Sequence, residues 1–259
     1  MTMRAHPNQN GFTLVEIAVV VVIVGLLIGG ILKGGELRRS MQVTSTATQI
    51  VDIRSAFKMF QDAYYYPPGD MLNPGGTLGN CTARPCNRPG DGNLMIGTTV
   101  AASYNLPTLD SENDAAWAQL AAVGLVKGII PNATIKEFGR SNPSTAIGAG
   151  LIMFYKDVND GNYTNVPLER QPLSGHYIVS MSKADPIGGQ FENNFNLSGN
   201  TIQALDKKVD DGLPNIGRVI GGGQRGGGID RCVMGPNNNS PYNTQSTKCA
   251  FLFSMDAVQ

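Results

Sequence analysis

Three regimes of apolar and polar positions follow one another along the chain. A polar leader, MTMRAHPNQNG, gives way at once to FTLVEIAVVVVIVGLLIGGIL, in which only Thr13 and Glu16 carry polar side chains. The run from Phe12 to Leu32 is 21 residues, and a helix needs about 20 to cross a bilayer. It therefore predicts a membrane-spanning helix. A carboxylate inside such a helix costs roughly 2.5 kcal/mol or more at bilayer depth, so Glu16 requires an interface or a partner. Gly25 with Gly29, and Gly30 with Gly34, form small-xxx-small spacings, which let helices approach closely in lipid. Glycine also weakens a helix, and a locally extended or bendable stretch is expected over Gly29–Gly35. Beyond it, Ile50, Ile53, Phe57, Phe60 and Tyr64 recur every three or four residues, the signature of an amphipathic helix. A helix from Phe12 to Ala63 would run roughly 75–80 Å at 1.5 Å per residue. Pro67 and Pro68 end it.

The remainder reads as a globular head. Residues 69–107 are rich in Gly, Pro and Asn and show no sustained period. A second helix is marked by Asp110 or Ser111 as cap, with Asp114 completing a Ser-x-x-Asp box. Trp117, Leu120, Ala121 and Leu125 form its apolar face, and Gly128 and Pro131 stop it. Strands are expected at Gly150–Val158, His176–Ser182, Gly217–Ile220 and Ala250–Ser254, each bounded by turn residues. A third helix, Thr201–Asp211, presents Ile202, Leu205 and Val209 on one face before Gly212 and Pro214. Strands separated mostly by loops suit an antiparallel sheet, and a sheet laid on the second half of a long helix gives an α+β head.

Composition narrows the function classes. Twenty basic and 20 acidic residues cancel, so bulk charge predicts no specific nucleic-acid partner. Thirty-two glycines and 15 prolines assign much of the chain to loops. Four cysteines, Cys81, Cys86, Cys232 and Cys249, include no Cys-x-x-Cys pair, and two histidines are too few for a zinc cluster. An even number outside the cytoplasm favours two disulfides. Cys81 and Cys86 would close a small loop and Cys232 with Cys249 a long one, but the two crossed connectivities stay open.

The apolar run is too long for an ordinary secretory signal, and no small-x-small cleavage site follows it. The polar leader precedes it and stops at Gly11. The segment GFTLVE, with its leader, Gly11, Phe12, Glu16 and the helix behind them, resembles the N-terminal signature of type IV prepilins and pseudopilins. The resemblance implies cleavage between Gly11 and Phe12 by a prepilin peptidase, then N-methylation of Phe12. It implies that Glu16 meets the terminal amine of Phe12 on a neighbouring subunit, a pairing that offsets desolvation and sets register. It implies a homopolymer, with a platform protein and an assembly ATPase as further partners, an inner-membrane precursor, and later a filament at the cell surface or in the periplasm. It also implies a C-terminal disulfide loop on the outside of the filament. The organisation expected is a leader at 1–11, a transmembrane and polymerisation helix at 12–35, an amphipathic helix at 36–66, and the head at 67–259. A structural subunit of a pilus-like filament is the leading reading. A pseudopilin or minor pilin of a type II secretion or DNA-uptake system is the alternative, and a simple membrane-tethered binding domain is a third.

Enzymatic chemistry finds little footing. Gly221-x-Gly223-x-x-Gly226 matches a dinucleotide loop literally, but GGGIDRCVMGPNNN after it cannot be the helix that such a loop needs. His176 alone would survive leader removal, and it is expected as a half-exposed strand residue without a nucleophile to serve. No catalytic residue and no required cofactor are expected. Calcium is the candidate ligand. Asp206, Asp210 and Asp211 fall at i, i+4 and i+5, the last two at a helix C-terminus where negative charge is disfavoured. Asp157, Asn159 and Asp160 resemble the start of a calcium loop but lack the spacing and the bidentate Glu of an EF-hand.

Overall fold

A computed structural model of the chain describes residues 13–97, 111–156, 174–182, 195–223, 232–235 and 239–256. They form two compact units that divide between Met41 and Gln42. Helix α1 (Leu14–Tyr64) contributes to both.

In the first unit the side chains from Leu14 to Ile31 are exposed. The helix continues unbroken through Gly29–Gly35, where the glycine spacing suggests a locally extended stretch. Each glycine costs about 0.8–1 kcal/mol against alanine. Breaking the helix in an apolar run would instead strand backbone N–H and C=O groups, at several kcal/mol each in lipid. The hydrogen-bonded path wins.

In the second unit the i, i+3, i+4 stripe of α1 is the floor of the core. Val43, Ala47, Ile50, Ile53, Phe57 and Phe60 are buried, while Val51 and Met59 on the other face are exposed. Burying a side chain such as Phe57 contributes roughly 1.5–3 kcal/mol. The helix ends where Tyr65 adopts a φ of 63°, ahead of the proline pair. A one-turn helix α2 (Pro74–Thr77) follows. Helix α3 (Glu112–Ala122) is capped by the Ser111 side chain, which accepts from Asp114 N–H. It is buried around nearly its whole girth, polar residues included. Its alanines keep it slim. Its polar groups find partners: Gln119 Oε1 accepts from Gly69 N–H at 2.6 Å, and Asn113 Nδ2 donates to Met153 O at 2.6 Å. Gly69, at φ +93°, cannot be replaced cheaply, because a Cβ there would lie 2.3 Å from Glu112 O. Helix α4 (Gly199–Val209), capped by Ser198, completes the helices described.

Four strands, β1 (Ala149–Lys156), β2 (Gly175–Ser182), β3 (Val219–Gly223) and β4 (Cys249–Ser254), form one antiparallel sheet in the order β1-β2-β4-β3. The register explains the alternation. Met153 pairs with Ile178, Ile178 with Phe253 and Phe253 with Val219, and all four join the core that contains α1 and Trp117. One position along, Ile152, Val179, Leu252 and Ile220 pair in the same sequence and face the other side, where Phe195 and Phe138 pack. The sheet is therefore buried on both faces, more than a single layer on a helix requires. β3 also starts two residues later and ends three later than the hydrophobic pattern suggests, running into Gly221–Gly223. Glycine belongs there because a Cβ on Gly221 would sit 2.5 Å from the Tyr242 ring and 2.8 Å from Pro214. The fold is α+β and pilin-like.

Candidate functional site

The N-terminal segment is the first site candidate. Gly11 and Phe12 lie outside the described residues. Immediately after them Thr13 and Glu16 form a reciprocal capping box. Thr13 N–H and Thr13 Oγ1 both donate to Glu16 Oε2 at 2.8 Å, and Glu16 N–H donates back to Thr13 Oγ1 at 3.3 Å. A carboxylate in the first turn also suits the positive end of the helix dipole. Glu16 is thus held at the start of α1 by local donors, and it stays exposed. Around it Leu14, Val15, Ile17 and Val19 are all more than half exposed among the described residues. Among the described residues, α1 is long and apolar enough to cross a membrane.

Among the described residues the head holds three carboxylate assemblies. The first follows α4. Asp206, Asp210 and Asp211 each place an oxygen within 4.8 Å of the others, as the i, i+4, i+5 spacing suggests. Asp206 is buried and accepts from Tyr242 Oη at 2.7 Å and Gly212 N–H at 3.2 Å. Burial pushes its carboxyl up to about 7 despite those donors. Asp210 accepts from the Arg218 and Val219 backbone N–H groups, and Asp211 from Leu213 N–H at 2.7 Å. The carboxylates at the C-terminal end of α4 are therefore compensated by backbone donors.

The second assembly is absent from the sequence reading. Asp70, Asp91 and Glu112 also converge within 4.8 Å, with Asp70 and Glu112 buried. Asp70 accepts from Gly92 N–H at 2.8 Å and Leu94 N–H at 2.7 Å, and Glu112 from Gly97 N–H at 2.6 Å. Arg88 stands 3.6 Å from Glu112. Burial raises both the Asp70 and Glu112 carboxyls, and the charge of Asp91 adds to it. The only local hint is Asp91-Gly92-Asn93, which reads equally as a turn. The convergence itself is long-range.

The third assembly sits at Asp256. Its carboxylate accepts from His176 N–H at 2.6 Å, lies 3.2 Å from His176 Nδ1 and 3.1 Å from Lys58 Nζ on α1. Arg54 Nε donates to Met255 O at 3.2 Å beside it. Burial pushes the Asp256 carboxyl up, but the His176 hydrogen bonds and charge, with the Lys58 ammonium, outweigh it and hold it well below the ordinary range. His176 is buried, with Phe57 and Tyr155 ring centroids each 5.0 Å away. It is not the half-exposed residue that strand alternation suggests, because α1 covers that face of the sheet. The arrangement fastens β2 and the end of β4 to α1. Among the described residues no nucleophile stands beside His176.

Disulfides join Cys81 to Cys86 and Cys232 to Cys249. Gly221 and Gly223 are strand residues rather than a phosphate loop, and Gly226 lies outside the described residues. So do Asp157, Asn159 and Asp160.

These features define a class: a chain with a membrane-capable N-terminal helix and a disulfide-bonded α+β head. Residues 6–32 match the prokaryotic N-terminal methylation motif, the signal of type IV pilins and prepilins. Neither the curated proteins nor the solved structures contain a match to the chain.

Proposed function

We propose that this chain is the structural subunit of a type IV pilus-like extracellular filament, assembled after cleavage between Gly11 and Phe12 and N-methylation of Phe12. The observation that carries the reading is the methylation motif over residues 6–32, which takes in the α1 stretch Leu14–Ile31, exposed throughout among the described residues. The work of the protein is assembly. Its apolar helix begins in the inner membrane and moves into a bundle of identical helices, so its surface stays out of water throughout. Glu16 then exchanges its local Thr13 donors for the Phe12 amine of a neighbour. A prepilin peptidase, a platform protein and an assembly ATPase serve the process.

Mass spectrometry of the N-terminal peptide from material sheared off intact cells tests this. Abundant N-methylated Phe12 is expected there. Processed chain confined to the membrane fraction would move the assignment to a pseudopilin or minor pilin of a secretion or DNA-uptake system. An intact leader would overturn both.

Calcium is the ligand we propose for the head, at Asp206, Asp210 and Asp211, and what supports it is the mutual approach of their oxygens. A rise in unfolding temperature with calcium over chelator, lost in Asp210→Asn, is the expected result. A rise lost only in Asp91→Asn would assign the ion to Asp70, Asp91 and Glu112 instead, and no rise would remove calcium from the account.

A further inference from the structure

Just past the apolar run, the helix carries Lys33, Arg38 and Arg39, against Glu36 alone. All four are exposed, and Lys33 Nζ lies 3.4 Å from Glu36 Oε2. At 100° per residue, Lys33, Arg38 and Arg39 fall at about 0°, 140° and 240° around the axis. They form a ring, not a stripe. A single protein partner docks on one side of a helix; a ring of charge on a membrane-anchored helix suits the headgroup layer that surrounds it.

The axial spacing names that partner. At 1.5 Å per residue a helix over the 21 residues of the apolar run would span about 31 Å, against a hydrocarbon core of about 30 Å. Lys33 then stands at the hydrocarbon boundary, and Arg38 and Arg39 are about 8–9 Å further out. That is within reach of the headgroup layer for side chains that extend toward it. Leu37 and Met41, each more than 60 % exposed, fall at about 40° and 80°, between Lys33 and Arg38, and suit the same interfacial layer. The leader offers only Arg4. With the leader on the cytoplasmic side, the basic excess lies on the translocated flank, the reverse of the usual bias. An anionic headgroup layer offsets that cost.

We propose that Lys33, Arg38 and Arg39 form a cationic collar that binds anionic phospholipid headgroups in the leaflet away from the leader. The inference rests on the membrane-anchored reading of α1, not on leader processing. It is tested with the full-length, uncleaved chain in nanodiscs of mixed phosphatidylcholine and phosphatidylglycerol. Native mass spectrometry counts the lipids retained, and circular dichroism checks the fold. Wild type should retain phosphatidylglycerol preferentially. The double variant Arg38→Gln/Arg39→Gln should lower that preference by roughly fivefold per charge. Arg140→Gln, an exposed cation on the head, should leave it unchanged. No preference in wild type, an undiminished preference in the double variant, or an equal loss in Arg140→Gln would each overturn the collar. Because the readout uses precursor, a leader that is never cut would fail the filament reading and leave this one standing.

Discussion

The two stretches of α1 are the same secondary structure built for two solvents. From Leu14 to Ile31 every side chain is exposed and nearly every one is apolar. From Val43 to Phe60 most apolar residues keep to one face and are buried against the head, with Val51 and Met59 exposed on the other. The first stretch buries no side chain among the described residues, and it suits a cover of lipid or of copies of itself. The second is already satisfied. Substitutions should therefore separate cleanly into those that affect assembly and those that affect folding.

The largest separation is expected at Glu16. Glu16→Ala should abolish filaments while the unfolding temperature of the head stays that of wild type, read by shearing assays and calorimetry on the same preparation. Filaments at normal yield would show that the carboxylate only caps its helix. Phe57→Ala tests the opposite stretch. Phe57 is fully buried, and the loss should be about 3–5 kcal/mol. Ile23→Ala, at a half-exposed position, should leave head stability untouched. If urea melts of the two variants coincided, the contrast between the stretches would fail.

The C-terminal loop comes next. Opening the Cys232–Cys249 bridge with paired serines should cost about 3 kcal/mol for a loop of this length, with membrane insertion unaffected. The last separation is a pH dependence confined to the head. The Asp206 carboxyl is raised to about 7 from an ordinary value near 3.9. Between those values the folded state holds a proton that the unfolded chain releases, so stability falls as pH rises from about 4 to 7. Asp256 is held low, so its contribution is present above about pH 4 and is lost as pH falls below it. Asp206→Asn should flatten the upper slope and leave the acid limb intact, as read by urea midpoints across pH. An unchanged upper slope would assign it to another group.

Features encoded over a few residues were legible. The length of the apolar run, the Ile50–Phe60 stripe, the Ser111 and Asp114 cap and the alternation in β1, β2 and β4 all depend on near neighbours. Boundaries moved where glycine carried the strand, as in β3. Burial of His176 escaped notice because strand alternation says which face a residue points to, not what covers that face. Asp70, Asp91 and Glu112 escaped for a related reason. They are joined by the fold of a region with no period, and Asp70 reads locally only as part of a helix stop. Asp206, Asp210 and Asp211 were visible because one helix end brings them together.

The strand order carries a consequence for how the protein is made. β4 (Cys249–Ser254) is the last strand in the chain among the described residues, yet it lies between β2 and β3. Until it arrives, the sheet is only a β1-β2 hairpin and a separate β3 segment, and Cys232 has no Cys249 to meet. A head delivered N-terminus first across a membrane therefore cannot close its core progressively. It must stay open until residue 254 has emerged, so stalled or truncated chains should be recognised as unfinished by proteases and thiol oxidants alike.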